Sequence, residues 1–181
     1  MKLYRFISFS AFMRLLVKKK ERFVNPICWE DTREGYLLRI MDLEQGSRKV
    51  LELLYDNVFN QEIEKTIIGY LKLWAARWGC YAQCWTECDE SDAMWRIYDY
   101  EKETVRITTT DDVLKKNLDN INSSLMSYIK SIKYVDGDDI GLLCDATKEL
   151  SETGMIYSPY IQKGKHLNTK EKCEHLYIAR I

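Results

Sequence analysis

From Cys84 to Thr110 the chain reads CWTECDESDAMWRIYDYEKETVRITTT, a stretch that concentrates side chains suited to holding a ligand. Trp85, Trp95, Tyr98 and Tyr100 offer flat faces on which a planar group can stack, and the tyrosines add a hydroxyl. Asp89, Glu90 and Asp92 supply carboxylates, although acids there also suit the first turn of a helix, whose N-terminus favours negative charge. Chemistry-bearing residues recur elsewhere. Arg5 carries a forked guanidinium that matches phosphate or carboxylate. Asp31 and Glu34 share a short segment, and Glu171 and Glu174 come near the end.

Other chemistries are poorly served. Cys80, Cys84 and Cys88 are four apart, which places three sulfurs on one face of a helix or strand. Structural zinc sites combine such a pair with a second distant pair, and none is present, so no metal is expected and the three read as small buried hydrophobes. His166 and His175 lack the spacing of a ligand pair on one helical face. Eight glycines form neither a P-loop nor a dinucleotide fingerprint, which argues against both classes of nucleotide enzyme. A two-metal nuclease would need clustered carboxylates, for which Asp31 and Glu34 are the nearest candidates. Lys18, Lys19, Lys20 and Arg22 form a basic run, read first as a solvated helix end and second as a phosphate site.

Composition restricts the class. The 181 residues fit one domain, 1–181, with 46% hydrophobic and 30% charged residues, a globular balance. A net charge of −1 gives no general nucleic-acid footprint. Arg5 and Arg14 interrupt the apolar runs of the amino-terminal segment before they reach a signal-peptide core, and nothing approaches the ~20 apolar residues that span a bilayer. The expected location is therefore cytoplasmic, without a membrane partner, and the six cysteines are expected to be thiols.

The elements that must position these residues follow from periodicity. Leu3–Ser8 predicts a strand, and Ser10 caps a helix through about Lys19, with Phe12, Leu15 and Leu16 at helical spacing. Arg22–Asn25 predicts a short strand stopped by Pro26, followed by a loop from Ile27 to Gly35. Two helices follow. In Ser47–Phe59 the stripe is Val50, Leu51, Leu54 and Val58; in Gln61–Trp78 it is Ile63, Ile67, Leu71, Trp74 and Trp78, and both are expected to face the core. Tyr81–Thr86 and Thr104–Thr109 predict strands flanking a helix at Ser91–Tyr98. Asp111–Leu118, Asn122–Lys130 and Asp139–Leu150 predict helices, with strands at Ile132–Val135 and Leu176–Ile181. Strands and helices intersperse without a regular βαβ period, so the expectation is an α+β domain with a mixed or split antiparallel sheet flanked by helices.

Several of these pieces together resemble one family. LYRF at Leu3–Phe6, FVNPICWEDTREG at Phe23–Gly35, CWTECDESDAMWRIY at Cys84–Tyr98 and VRITT at Val105–Thr109 are similar to a bacterial and phage family catalogued as a domain of unknown function, number twenty-nine seventy-one. Where its pattern has proline, this chain has Thr32, and Arg33 replaces an aromatic; Asp31 and Glu34 keep their places. Its carboxyl-terminal pattern ends in acids and arginine, whereas an alignment from Lys163 puts Lys170 and Lys172 at the acidic positions and Glu174 at the arginine. Either the alignment shifts, making Glu171 or Glu174 the acidic residue, or that motif is lost.

The layout of an early Tyr-Arg, an aromatic wall and a late glutamate resembles ADP-ribosyltransferases. Cleaving the glycosidic bond of NAD passes through an oxocarbenium-like sugar cation that a carboxylate stabilises. The resemblance implies NAD as substrate, with Glu171 or Glu174 catalytic and a cleft lined by Tyr4, Arg5, Trp29, Asp31, Glu34, Trp85, Ser91 and Tyr98. Two functions follow: an NAD-consuming transferase or glycohydrolase of a toxin or phage-defence kind, or a non-catalytic module binding a nucleotide or protein partner in the same cleft. Arg5 has a structural alternative too, pairing with Asp31 or Glu34 to anchor the loop.

Overall fold

The computed structural model describes residues 1–29, 35–89, 92, 95, 96, 99, 103–120, 127–134, 139–154, 156, 158–163 and 175–180. Strand β1 (Lys2–Ser8) leads into helix α1 (Phe9–Lys18), capped by Ser8, whose hydroxyl accepts the Ala11 N–H at 3.2 Å. The cap falls two residues before Ser10, whose hydroxyl bonds to that of Ser8 at 3.0 Å. Helix α1 stops at Lys19, which takes the left-handed conformation with φ 52°. A single-turn 3-10 helix (Pro26–Cys28), α2 (Tyr36–Ile40) and α3 (Glu44–Leu53) follow, α3 running on into a π turn (Leu54–Val58). Next come α4 (Ile63–Gly79), β2 (Tyr81–Thr86), β3 (Thr104–Thr110), α5 (Asp111–Asp119), β4 (Ser127–Ser131), β5 (Lys133–Tyr134), α6 (Asp139–Thr153), α7 (Ser158–Ile161), β6 (Gln162–Lys163) and β7 (His175–Arg180).

These elements make an α+β fold. Five strands form an antiparallel sheet in the order β3-β1-β2-β7-β4, and β5 and β6 pair in parallel beside it. Alternation along the strands divides the side chains between two faces. One face carries Leu3, Trp85 and Ile107, which pack with Leu114 and Leu118 of α5 and with Ile129 and Phe23. The other carries Ala82 and Cys84 with Ile132 and Trp29. Cys80 continues that second row into the helical core, where Leu37, Leu38, Met41, Val50, Leu54, Leu73, Leu143, Ala146 and Ile156 are all buried. Strand β2, with Trp85 on one face and Ala82 and Cys84 on the other, thus joins two cores.

Three local expectations are corrected. Arg22–Asn25 makes only one bridge, Val24 to Ala82, because Asn25 turns the chain: its Oδ1 accepts the Ile27 N–H at 2.9 Å and starts the 3-10 helix at Pro26. Within Asn122–Lys130, Ser127–Lys130 belong to a strand, since their backbone groups pair with β7; 121–126 lie outside the described residues. Tyr36–Ile40 forms a helix that periodicity does not announce. The stripe on α3 faces the core as expected, with Val50 and Leu54 buried. On α4 the result reverses: Thr66, Gly69, Leu73 and Arg77 turn inward, while Ile63, Ile67, Leu71, Trp74 and Trp78 are exposed. This helix is apolar on most of its circumference, so periodicity alone could not choose its buried side.

A buried cation ties the helical half together. Arg77 has no exposed surface; it donates to the Leu38 carbonyl at 3.0 Å and to Asp42 at 2.5 Å, while Trp74 and Trp78 place their rings 5.1 and 4.9 Å from its guanidinium. Its own carbonyl accepts from Asn25 at 3.0 Å. Two glycines permit close approaches elsewhere in the helical half. A Cβ on Gly46 would lie 2.1 Å from the Ile40 carbonyl oxygen, and one on Gly69 would lie 2.4 Å from the Phe59 ring. Gly46→Ala and Gly69→Ala should therefore each lower unfolding free energy by about 1–3 kcal/mol, measured by urea denaturation; an unchanged midpoint for both would contradict these contacts.

Candidate functional site

Arg5 lies on the Leu3–Trp85 face of β1 and is only 19% exposed. Because Tyr4 pairs with Thr86, Arg5 stands beside Trp85, and its guanidinium sits 5.8 Å from that indole. Its Nη1 donates to Glu21 at 2.8 Å. The carboxylate that meets Arg5 is thus Glu21, inside the basic run; Asp31 and Glu34 of the alternative pairing lie outside the described residues.

The segment bearing Glu21 is fixed by the sheet. Val24 and Ala82 exchange two backbone hydrogen bonds of 3.2 and 2.8 Å, and Gln83 donates to the Arg22 carbonyl at 2.8 Å. Gln83 is itself held by Trp85, whose indole N–H reaches its Oε1 at 3.3 Å. The left-handed turn at Lys19 then lets residues 20–24 close over α1. Between them is a cleft of about 100 Å³ lined by Arg5, Ile7, Ala11, Arg14, Lys20, Glu21, Arg22 and Val24. Four cations and one carboxylate surround it, and Glu21 is already paired. Such a hollow suits a small anion, which Arg5 can grip in a bidentate manner. A larger concavity of about 300 Å³ beside α3 is lined by Glu44, Gln45, Arg48, Lys49 and Glu52, whose interleaved charges leave it no net sign.

The remaining site candidates divide. Tyr4 follows the alternation to the opposite face, where Arg106 lies 5.0 Å from its ring, so Tyr4 and Arg5 do not share a cleft. Trp29 packs on Ala82 and Ile132, also away from Arg5, and its carbonyl accepts from Arg39 at 2.5 Å. Trp85 is 4% exposed and belongs to the core, leaving no open face for a base. Trp95 meets Phe6 edge-on at 4.9 Å on the face of Tyr4, and Asp89 pairs with Arg106 at 2.8 Å. Asp92 pairs with Arg96 at 2.7 Å. Of the block's described residues, Trp85, Trp95 and Asp89 thus pack on or pair with sheet residues, whereas the Asp92–Arg96 pair is exposed and stays within the block. Asp31, Glu34, Glu90, Ser91, Tyr98, Glu171 and Glu174 lie outside the described residues. Of the cleft residues absent from the expected site, Arg14, Lys20, Glu21 and Arg22 surround or belong to the basic run whose second reading was phosphate binding.

The cysteines are also sorted. Cys28, Cys80, Cys84 and Cys144 are free, whereas Cys88 is disulfide-bonded, which corrects the expectation of six thiols. Among the described residues no group of three His, Cys, Asp or Glu side chains could hold a metal ion. No described helix is long and apolar enough to cross a membrane. Fold and cleft together define an α+β protein with a small cationic hollow at one sheet face. Comparisons with protein-family models, curated proteins and solved structures find no match to this chain.

Burial pushes the Cys80 thiol up to about 12. A folded pKa above that of the unfolded chain means that the stabilisation is full below the unfolded value and is lost as pH rises toward the folded one. Between about pH 8 and pH 11, wild-type protein should lose more stability than Cys80→Ala does, measured by urea midpoints of each at both values; equal losses would contradict the buried thiol.

Proposed function

We propose that this protein binds a phosphate-bearing ligand, such as a nucleotide diphosphate, at the Arg5 cleft and acts as a recognition module. The observation that supports this reading is the convergence of Arg5, Arg14, Lys20 and Arg22 on one hollow in which, among the described residues, the single acid, Glu21, is neutralised by Arg5. Size limits what enters. A cleft of about 100 Å³ is well below the roughly 300–1,000 Å³ of pockets that enclose drug-sized ligands. It takes a phosphate or pyrophosphate, and a nucleoside would extend over the rim toward solvent.

Glu21 acts as the internal stand-in for the ligand. A partly exposed ion pair of this kind is worth about 1 kcal/mol or less, so a charge-dense anion making several charge-assisted bonds can displace it. Titration of ADP-ribose by calorimetry should show saturable binding to the wild type. Arg5→Ala should weaken it at least about tenfold, the loss of one charge-assisted contact of roughly 1.5–3 kcal/mol. Glu21→Gln should leave binding equal or tighter. Absence of binding, or binding untouched by Arg5→Ala, would remove the proposal.

The NAD-consuming reading keeps one observation of its own. Thr86 pairs with Tyr4 on one side and with His175 on the other, so the strand order carries the residue following Glu174 to within one strand of β1. If this reading holds, nicotinamide is released from NAD and the release is lost in Glu174→Gln or Glu171→Gln; binding without release leaves the recognition module.

A further inference from the structure

The outward side of α4 leaves a row of large apolar side chains exposed. Ile67, Leu71, Trp74 and Trp78 advance by steps of four, three and four, the spacing of a two-helix seam. They are 50%, 56%, 44% and 46% exposed, and Ile63 and Ile68 flank them at 65% and 45%. The opposite side of the same helix is already committed to the core through Gly69, Leu73 and Arg77. A helix apolar on both sides is built to be covered on both.

We infer that this face is the self-association surface of the protein, with α4 packed antiparallel against α4 of a second copy around a two-fold axis. Area is the first argument. Aromatic side chains present about 150–250 Å² each, and with about 200 Å² taken for each of the six residues of α4, half exposure offers roughly 600 Å². That is the upper end of the roughly 300–600 Å² of the largest patch on a typical monomer, and two copies would together bury about 1,200 Å², the lower bound of a specific interface.

Self-complementarity is the second. With the axis midway between Leu71 and Trp74, Ile67 faces Trp78 of the second copy and Leu71 faces its Trp74. Each indole then meets a branched aliphatic rather than another indole, and the pairing repeats itself across the axis, as a two-fold interface requires. Antiparallel alignment sets the positive end of each helix dipole beside the negative end of the other. The two indoles of each copy are pre-set from beneath by their stacking on Arg77, so little side-chain freedom is lost on association. The Arg5 cleft is built from other elements and is not needed for this contact.

Sedimentation equilibrium of the full chain over about 1–100 µM should give a monomer–dimer equilibrium. Leu71→Glu and Trp74→Glu should each weaken it roughly 30-fold or more, the scale of a central interface residue. Circular dichroism and binding of ADP-ribose should be unchanged, which separates lost association from lost folding. A double variant, Ile67→Cys with Trp78→Cys, should cross-link between copies under oxidation. A wild-type monomer throughout this range would overturn the inference, whether or not the face then binds lipid vesicles or another protein. So would dimers that persist in Leu71→Glu.

Discussion

The antiparallel seat of β1 between β2 and β3 is the constraint on which the rest depends. With Tyr4 opposite both Thr86 and Thr108, every neighbouring side chain is assigned to a face. Leu3, Arg5 and Ile7 go to the side of Trp85, and Tyr4 and Phe6 to the side of Arg106 and Trp95. A slip of one residue would exchange the two sets and bury a guanidinium among aromatics on the wrong face. Register is pinned by Leu3 in the core on one face and by the contacts of Tyr4 with Arg106 and of Phe6 with Trp95 on the other, so the position of Arg5 is a consequence of packing.

That assignment explains why the cleft contains what it does. The Arg5 face is covered toward α5 by apolar side chains and toward α1 by the returning segment 20–24. Only at the latter boundary do polar groups collect. Gln83, nearly buried, supplies the link: its amide fixes the Arg22 carbonyl while its oxygen receives the Trp85 indole. Trp85 therefore shapes the site from below, as a floor under Arg5, without presenting a surface to a ligand. In the other half of the molecule Arg77 does similar work, drawing α2, α4 and the Asn25 turn together through one buried cation. A buried charge left without these partners would be costly, so the surrounding carbonyls and Asp42 are as necessary as the arginine itself.

Much of the fold was legible. Strands at Leu3–Ser8, Tyr81–Thr86 and Thr104–Thr109 stand where alternation and β-branched content put them, and α5 and α6 begin at the acids that mark their first turns. What failed did so for identifiable reasons. Val24 has a strand-like neighbourhood, but Asn25-Pro26 ends pairing after one bridge. Ser127–Lys130 has no local feature that excludes helix; only its partner β7 decides. On α4 the buried side includes Thr66 and Gly69, the latter admitting the Phe59 ring, and a hydrophobic count favours the opposite side. The candidate site was legible at Arg5 and in the basic run. It was not legible that Tyr4 and Arg5 part company, since adjacency in sequence means opposition on a strand, nor that Glu21 would be the partner.

The cationic hollow at one sheet face and the apolar ridge on α4 are physically independent, and the first carries the account of function. It is tested most directly by the Arg5 side-chain Nε–H resonance in an NMR titration with inorganic pyrophosphate. The account predicts a saturable shift of Arg5 together with Arg14 or Arg22, as the anion replaces Glu21. A shift confined to distant cations such as Arg48 on α3, with Arg5 unmoved, would contradict it.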